Sequence, residues 1–408
     1  MLESRFQPTD RTLEVMLHYS MQHDVFSAFF SIFAVAMKKT TMFGKTQRII
    51  EARKKGTLKE MCCDILSQAN VAGLLKITFF HHAADDKEYL NILDTLHTTV
   101  EEFFPGHTPL MSYIAQQPAN GRLTAEATYL NGKNAEIERH SNYVLLSNGK
   151  CKEIITNGIV PSDVSKSAFE QSNEIFGIIG DILQRNGFLP SDIYRQWNYI
   201  QYITDGKEGS QNYQEFNDAR SIFYGTCEWN NGYPAATGIG TSAGGIMVEL
   251  CAIKECGVAN KPIDNPLQIA AHSYSQKVLD GKVMDELQER TTPKFERARL
   301  LGDTLFISGT AAIKGEVSNF SDNTVEQAAE TMEIMNQLVS KENIPVTNNG
   351  SEYEMLRIYV KRKEEFPAVQ QFMQQHYPAP AKHYLIADVC RPELLIEIEG
   401  VAKVKGKN

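Results

Sequence analysis

Two stretches of this 408-residue chain read as degenerate copies of one another. The first is AFEQSNEIFGIIGDILQRNG, Ala168 to Gly187, followed by YRQWNYI. The second is TVEQAAETMEIMNQLVSKEN, Thr324 to Asn343, followed by LRIYVKR. Each predicts an amphipathic helix with a Glu-Gln pair in its first turn. Phe169, Phe176, Ile179 and Leu183 form one apolar stripe, and Val325, Met332, Met335 and Val339 the other. Asn323 with Glu326 resembles a capping box, and Gly187 suits a helix stop. A helix with one apolar face must be covered, so each copy calls for a packed sheet.

The flanking sequence supplies the strands. Ile193 to Ile200 and Met355 to Val360 alternate, with Arg195 and Arg357 at matching positions. GYPAATGIGT (Gly232 to Thr241) matches HYPAPAKHYL (His376 to Leu385), and each leads to a last strand, IMVELCAIK from Ile246 and LLIEIEGVAKV from Leu394. Glu249 is thereby the counterpart of Glu397. YVLLSNGK from Tyr143 and DTLFISGTAAIKG from Asp303 precede the helices. The order in each half is strand, strand, helix, strand, helix, strand. FPAVQQFMQQHY, with Pro367 in its first turn, is the second helix of the C-terminal half; NYQEFNDARSIFYG is its less clearly helical counterpart. The expected fold class is α+β, tandem units of mixed sheet with helices on one face. The expected division is a helical extension over 1–68, one unit over 69–257 and another over 258–408. Ile77 to His82, Tyr89 to Phe104, Leu110 to Ile114 and Leu123 to Leu130 add further α+β material, and Gln276 to Thr292 reads as a surface excursion or short helix.

A formal charge of −9 argues against a broad basic surface, so no nucleic-acid partner is expected. An anionic ligand would have to meet a few local arginines. Seven cysteines do not read as a disulfide framework, and MLESRFQPTD lacks the basic region and apolar run of a secretory signal; a reducing cytoplasm is expected. Val25 to Met37 is the most apolar stretch, but at 13 residues it is too short to span a bilayer, so no membrane partner is expected.

Near the C-terminus the chain reads CRPELLIEIEG, Cys390 to Gly400. In a strand, Leu394, Ile396 and Ile398 would pack on the helices, and Leu395, Glu397 and Glu399 would point the other way. That second face is either solvated or turned into a cleft between units. In a cleft, desolvation and a neighbouring like charge would raise a glutamate's pKa and suit it to donate a proton near neutral pH.

The ordered set FERA, LFISGTAAIKG, EQAAET, IYVKR and ADVCRPELLIEIEG, with RQWNYI, NYQEFNDAR and PAATGIGT in the first half, resembles the RidA-like (YjgF/YER057c/UK114, chorismate-mutase-like) fold. More narrowly it is similar to the chorismatases, two-domain relatives of that fold, over roughly residues 70–405. The resemblance implies cofactor-free release of pyruvate from chorismate, leaving either 3-hydroxybenzoate or a dihydroxycyclohexadiene carboxylate. It implies Glu397 as the catalytic acid, and Cys390, seven positions earlier, matches the cysteine of the aromatic-product branch. Protonating the terminal methylene of an enol ether gives an oxocarbenium ion, and one poised carboxylic acid suffices for that step. The substrate's two carboxylates suit arginines. The candidates are Arg297 and Arg220, with Tyr274, Gly309 and Thr310 as further ligand contacts. No metal is implied. Single-unit relatives form trimers, and the expectation here is a monomer or a homo-oligomer, trimer included.

Other features point less far. Gly238 to Gly245 is glycine-rich but lacks a P-loop lysine, His81-His82 with Asp85-Asp86 fits no metal spacing, and no GxSxG is present. Lys382 stands near where RidA deaminases carry an arginine, which argues against an imine deaminase. That activity and a non-catalytic binding protein are the rival expectations.

Overall fold

The computed structural model describes residues 43–132, 134–206, 209–284, 287–320 and 322–406. Three segments of it run through one order of elements. The first comprises β1 (Lys45–Glu51), α1 (Leu58–Gln68), β2 (Leu74–Phe80), α2 (Asp86–Phe103), β3 (Leu110–Ile114) and β4 (Thr124–Leu130). The second comprises β5 (Tyr143–Asn148), β6 (Cys151–Thr156), α3 (Ala168–Arg185), β7 (Ile193–Gln201), α4 (Asn212–Tyr224), β8 (Ala235–Thr241) and β9 (Ile246–Lys254). The third comprises β10 (Ala298–Leu301), β11 (Thr304–Thr310), α5 (Thr324–Leu338), β12 (Ser351–Val360), α6 (Phe366–His376), β13 (Ala381–Ile386) and β14 (Ile396–Val404).

The three sheets share a strand order, β1-β4-β2-β3, β6-β9-β7-β8 and β11-β14-β12-β13. In each, the strands flanking the second helix are parallel, a pairing that needs a crossover helix. The last strand then returns antiparallel between its neighbours.

The repeated helices form for the expected reasons. Ser167 and Glu170 make a complete capping box at α3, and Asn323 accepts from the Glu326 amide at α5. Ile175, Phe176 and Ile179 of α3 pack with Val248 and Leu250 of β9, and Met332 and Met335 of α5 with Ile396 and Ile398 of β14. Full burial of such a side chain contributes about 1.5–3 kcal/mol. The glutamine of each Glu-Gln pair is also buried, and it clamps the last strand of its own segment. Gln171 Oε1 accepts from the Ile246 amide at 2.9 Å, and Gln327 Oε1 from the Leu395 amide at 2.8 Å. The repeated sequence thus fixes where the glutamate-bearing strands begin.

Two expectations need correction. The tandem pair is preceded by a third segment of the same order, which draws β1 and α1 from the stretch expected to be a helical extension. Residues 1–42 of that stretch, including Val25 to Met37, lie outside the described residues. β1 (KTQRIIE) escaped notice because it is an edge strand that buries only Ile50 and so shows no alternation. Cys151 and Cys256 form a disulfide, because antiparallel β6 and β9 bring together residues 105 apart in sequence. The described part of the stretch Gln276 to Thr292 is a surface excursion, one of the two expected alternatives, and not a short helix; Arg290 and Gln276 exchange two hydrogen bonds across it, and Arg290 Nε donates to the Gly281 carbonyl at 2.5 Å. No helix among the described residues is long and apolar enough to cross a membrane.

Candidate active site

Glu397 is the second residue of β14, and strand alternation turns it and Glu399 away from the helices. That face is not solvated: both glutamates are only 4% exposed. Across the sheet Glu397 lies opposite Tyr359 and Glu399 opposite Arg357. The Glu397 carboxyl opens onto a cavity of about 490 Å³ between α4, β11, the loop before β14 and the stretch 274–297.

The two carboxylates have opposite surroundings. Glu399 is saturated: Arg195 and Thr237 meet Oε2, while Arg357 (2.7 Å), Trp197 Nε1 (3.1 Å) and the Tyr359 hydroxyl (3.1 Å) meet Oε1. No cation or hydrogen-bond donor among the described residues is seated on Glu397. Burial, and then the Glu399 charge, push the Glu397 carboxyl up to about 8, with Arg195 pulling weakly the other way.

Space for that carboxyl comes from Gly309, where β11 and β14 lose regular register. Cys390 also lines the cavity; burial and the nearby Glu397 push its thiol up to about 12. Arg297 is 4% exposed, and its Nη2 donates to the Tyr274 hydroxyl at 2.7 Å and the Ile269 carbonyl at 2.5 Å. Its Nε has no partner among the described residues. Arg391 lines the same wall; its Nη1 donates to the Glu316 carbonyl at 3.0 Å and Ser318 Oγ at 3.1 Å, and its guanidinium lies 5.5 Å from the Tyr274 ring centroid. From α4, Tyr213 and Asn217 complete the opposite side.

Five of the seven residues named from sequence therefore meet at one cavity: Glu397, Arg297, Tyr274, Cys390 and Gly309. Two do not line it. Thr310 follows Gly309 in a strand, so its side chain turns to the other face, where Oγ1 donates to the Ser308 carbonyl at 2.9 Å. Arg220 is fully buried behind Asn217, to whose Oδ1 its Nη2 donates at 2.5 Å. Sequence reasoning missed Arg391, although it adjoins Cys390 in the motif already singled out. It also missed Tyr213 and Asn217, whose four-residue spacing puts both on one side of α4. The glycine-rich stretch has a packing role: a β-carbon on Gly238 would come within 2.9 Å of the Tyr213 ring. Lys382 is turned to the Pro378 and Pro380 carbonyls, at 3.3 and 2.9 Å. Among the described residues no group of three or more His, Cys, Asp or Glu side chains could hold a metal ion.

A family profile described as "Chorismatase FkbO/Hyg5-like, N-terminal" matches residues 133–252. A 3-hydroxybenzoate synthase from Streptomyces hygroscopicus is 31% identical over 229 residues, covering 54% of this chain and 66% of that protein. A chorismatase from Streptomyces rapamycinicus is 29% identical over 247 residues, covering 56% of this chain and 67% of that protein. The chain thus spans about two thirds of the length of these relatives. A chorismatase crystal structure superimposes with a TM-score of 0.65 at 19% identity, over 88% of this chain and 99% of that one, and so has the same fold. Sequence match and fold agree: the chain carries the N-terminal chorismatase profile and is similar to chorismatases in sequence and in fold.

Proposed function

We propose that the chain cleaves the enolpyruvyl ether of chorismate, releasing pyruvate and 3-hydroxybenzoate, with Glu397 as the acid. The observation that carries this reading is the Glu397 carboxyl: buried, uncompensated and open to a cavity, it keeps its proton to about pH 8. Such a group can protonate the terminal methylene carbon of the enol ether. The proton leaves Glu397, the C=C pair forms the new C–H bond, and positive charge moves to the ether carbon. When water traps that carbon, the ring oxygen departs with a proton, and the dihydrodiol and pyruvate result. When the ring hydroxyl traps it, losing its proton, the ether oxygen departs and stays on the ring as the phenol oxygen. The trapping oxygen then leaves the ring as the pyruvate carbonyl, and loss of a ring proton gives 3-hydroxybenzoate. Pyruvate plus 3-hydroxybenzoate hold the atoms of chorismate, whereas pyruvate plus the dihydrodiol hold one water more.

Arg297 and Arg391 are the proposed grips for the substrate carboxylates. The unpartnered Arg297 Nε and the planar guanidinium geometry suit paired hydrogen bonds to such a group. Tyr274, held by Arg297, orients that contact. Cys390 supports the aromatic product: it lies on the cavity wall at the spacing that the resemblance links to that branch, and one relative is named for that compound. Arg220 and Thr310 act one step back, holding Asn217 and the β11 turn. A cytoplasmic location without nucleic-acid, membrane or cofactor requirement belongs to the same proposal. The division into units, taken as 43–130, 143–254 and 298–404, belongs to it as well.

Purified protein incubated with chorismate alone tests the reading. Pyruvate, measured with lactate dehydrogenase, is expected in equal amount to 3-hydroxybenzoate separated by chromatography. Absence of pyruvate sinks it. Ammonia release from dehydroamino acids would point to the deaminase instead.

A further inference from the structure

The three segments place like groups at like positions, and one of them breaks the pattern. Lys76, Arg195 and Arg357 occupy equivalent places on β2, β7 and β12. Two residues further along these strands, Thr78, Trp197 and Tyr359 lie opposite Glu126, Glu249 and Glu397. In two cases the cation of one segment serves the glutamate of another. Lys76 Nζ lies 2.8 Å from Glu249, and Arg357 Nη2 donates to Glu126 at 2.5 Å. By the same cycle Arg195 of the second segment would hold Glu397 of the third. Instead its Nη2 is paired with Glu399, and its Nη1 is buried with no partner. The residues that stand where Glu399 stands are Thr128 and Cys251, neither of them a carboxylate.

We propose that Glu399 is a positioning residue: by occupying Arg195 it withholds from Glu397 the cation that both counterparts possess, and so leaves that carboxyl able to carry a proton. This rests on reading Glu397 as the acid, but it concerns the carboxyl itself. The titratable groups around Glu397 come from several elements, and Lys277, Asp280 and Glu316 also line its cavity. Glu399 shares its face two residues along β14, and Tyr359 faces it from β12, where Arg357 lies opposite Glu399. Arg195 comes from β7, Tyr213 from α4, and Cys390, Arg391 and Glu393 from the preceding loop; Tyr274 and Arg297 stand across the cavity. Arg357 is held by Glu126 as well as by Glu399, and Arg391 by the Glu316 carbonyl and Ser318. Arg195 is therefore the cation that would be released by losing Glu399.

Infrared difference spectra between the wild type and Glu397→Gln isolate the Glu397 carboxyl, whose protonated C=O stretch is followed against pH without substrate. In Glu399→Gln the apparent pKa of Glu397 is expected to fall by about two units or more. Glu399→Asp should return most of that shift. Glu399→Gln combined with Arg195→Gln should return the part due to the captured cation, leaving only the smaller fall from the lost Glu399 charge. The alkaline limb of pyruvate release should move with the carboxyl. An unchanged titration in Glu399→Gln overturns the proposal, as does an equal fall in the double variant. Should Glu399→Gln fail to fold by circular dichroism, Arg195→Gln alone decides: a titration within about one unit of wild type supports the proposal, and a larger rise means that Arg195 already serves Glu397 and ends it. A chain that shows these titrations yet releases no pyruvate would sink the proposed activity and leave this inference standing.

Discussion

Gly309 and Glu397 share one small volume: a β-carbon on residue 309 would fall inside the Glu397 carboxyl. The backbone at Gly309 is not in the left-handed region, so alanine can adopt it. Gly309→Ala should therefore fold while forcing the acid aside. A displacement of this kind costs on the order of 100-fold in rate. We expect pyruvate release to fall by about that factor, with the melting temperature within a few degrees of wild type. An active Gly309→Ala variant would show that the carboxyl has no fixed position to lose.

Replacing the carboxyl by its amide isolates proton donation from shape. Glu397→Gln should keep substrate affinity within a few-fold and lose about 10²–10⁴-fold in turnover, the usual worth of a positioned acid. Isothermal titration for binding and the pyruvate assay for rate separate the two. Turnover within threefold of wild type would remove Glu397 from the chemistry.

The legible and illegible parts of this molecule divide along physical lines. Glu397 was readable because a carboxylate inside LLIEIEG breaks an apolar strand on a face set by period-two alternation. The tandem pair was readable because two buried faces of period 3.6 each carry the same Glu-Gln pair. Most elements of the first segment were readable too, but not its opening strand nor its equivalence to the other two, since β1 is polar and exposed and carries no such pattern. Arg220 and Thr310 were misplaced by a single step. A resemblance names a neighbourhood, while the direction of a side chain depends on register and helical turn. The ion pairs joining segments, such as Arg357 with Glu126, join residues 231 apart, and no local pattern announces them.

The raised Glu397 carboxyl also makes a stability prediction that needs no substrate. A carboxyl that titrates near 4.5 when unfolded and about 8 when folded binds its proton more tightly in the native state. Stability that it contributes is then fully present below about pH 4.5 and is lost as pH rises toward 8. Glu397→Gln lacks that proton. It should unfold in urea within about 1 kcal/mol of the wild type at pH 5, and be more stable by about 2–5 kcal/mol at pH 9. Parallel pH profiles for the two proteins would mean that Glu397 titrates normally.

Arg391 is the test of the substrate grip, because it reaches the cavity from a loop and its own bonds are to one carbonyl and one hydroxyl. Arg391→Met keeps the apolar stem and removes the charge. Loss of a charged hydrogen bond to a substrate carboxylate costs about 1.5–3 kcal/mol, or about 10- to 150-fold in KM, with kcat little changed. Steady-state kinetics with chorismate would show this. A fall in kcat at constant KM would instead assign Arg391 to the transition state.

Arg357 gives the contrasting case of a buried cation with a structural task. It binds Glu126 through Nε at 2.9 Å and Nη2, and reaches Glu399 at 2.7 Å, so it ties the first segment to the third. Burial alone would raise Glu126, but Arg357 and His383 hold its carboxyl well below the usual carboxylate range. Arg357→Met leaves two buried carboxylates short of a cation, a loss of about 3–5 kcal/mol. A depressed carboxylate contributes stability above its unfolded value, and that contribution declines as pH falls below it. The gap between wild type and Arg357→Met should therefore be full at pH 7 and narrow below about pH 4, as read by urea denaturation at both. A gap that stays constant across that range would mean that Arg357 acts through packing and not through charge.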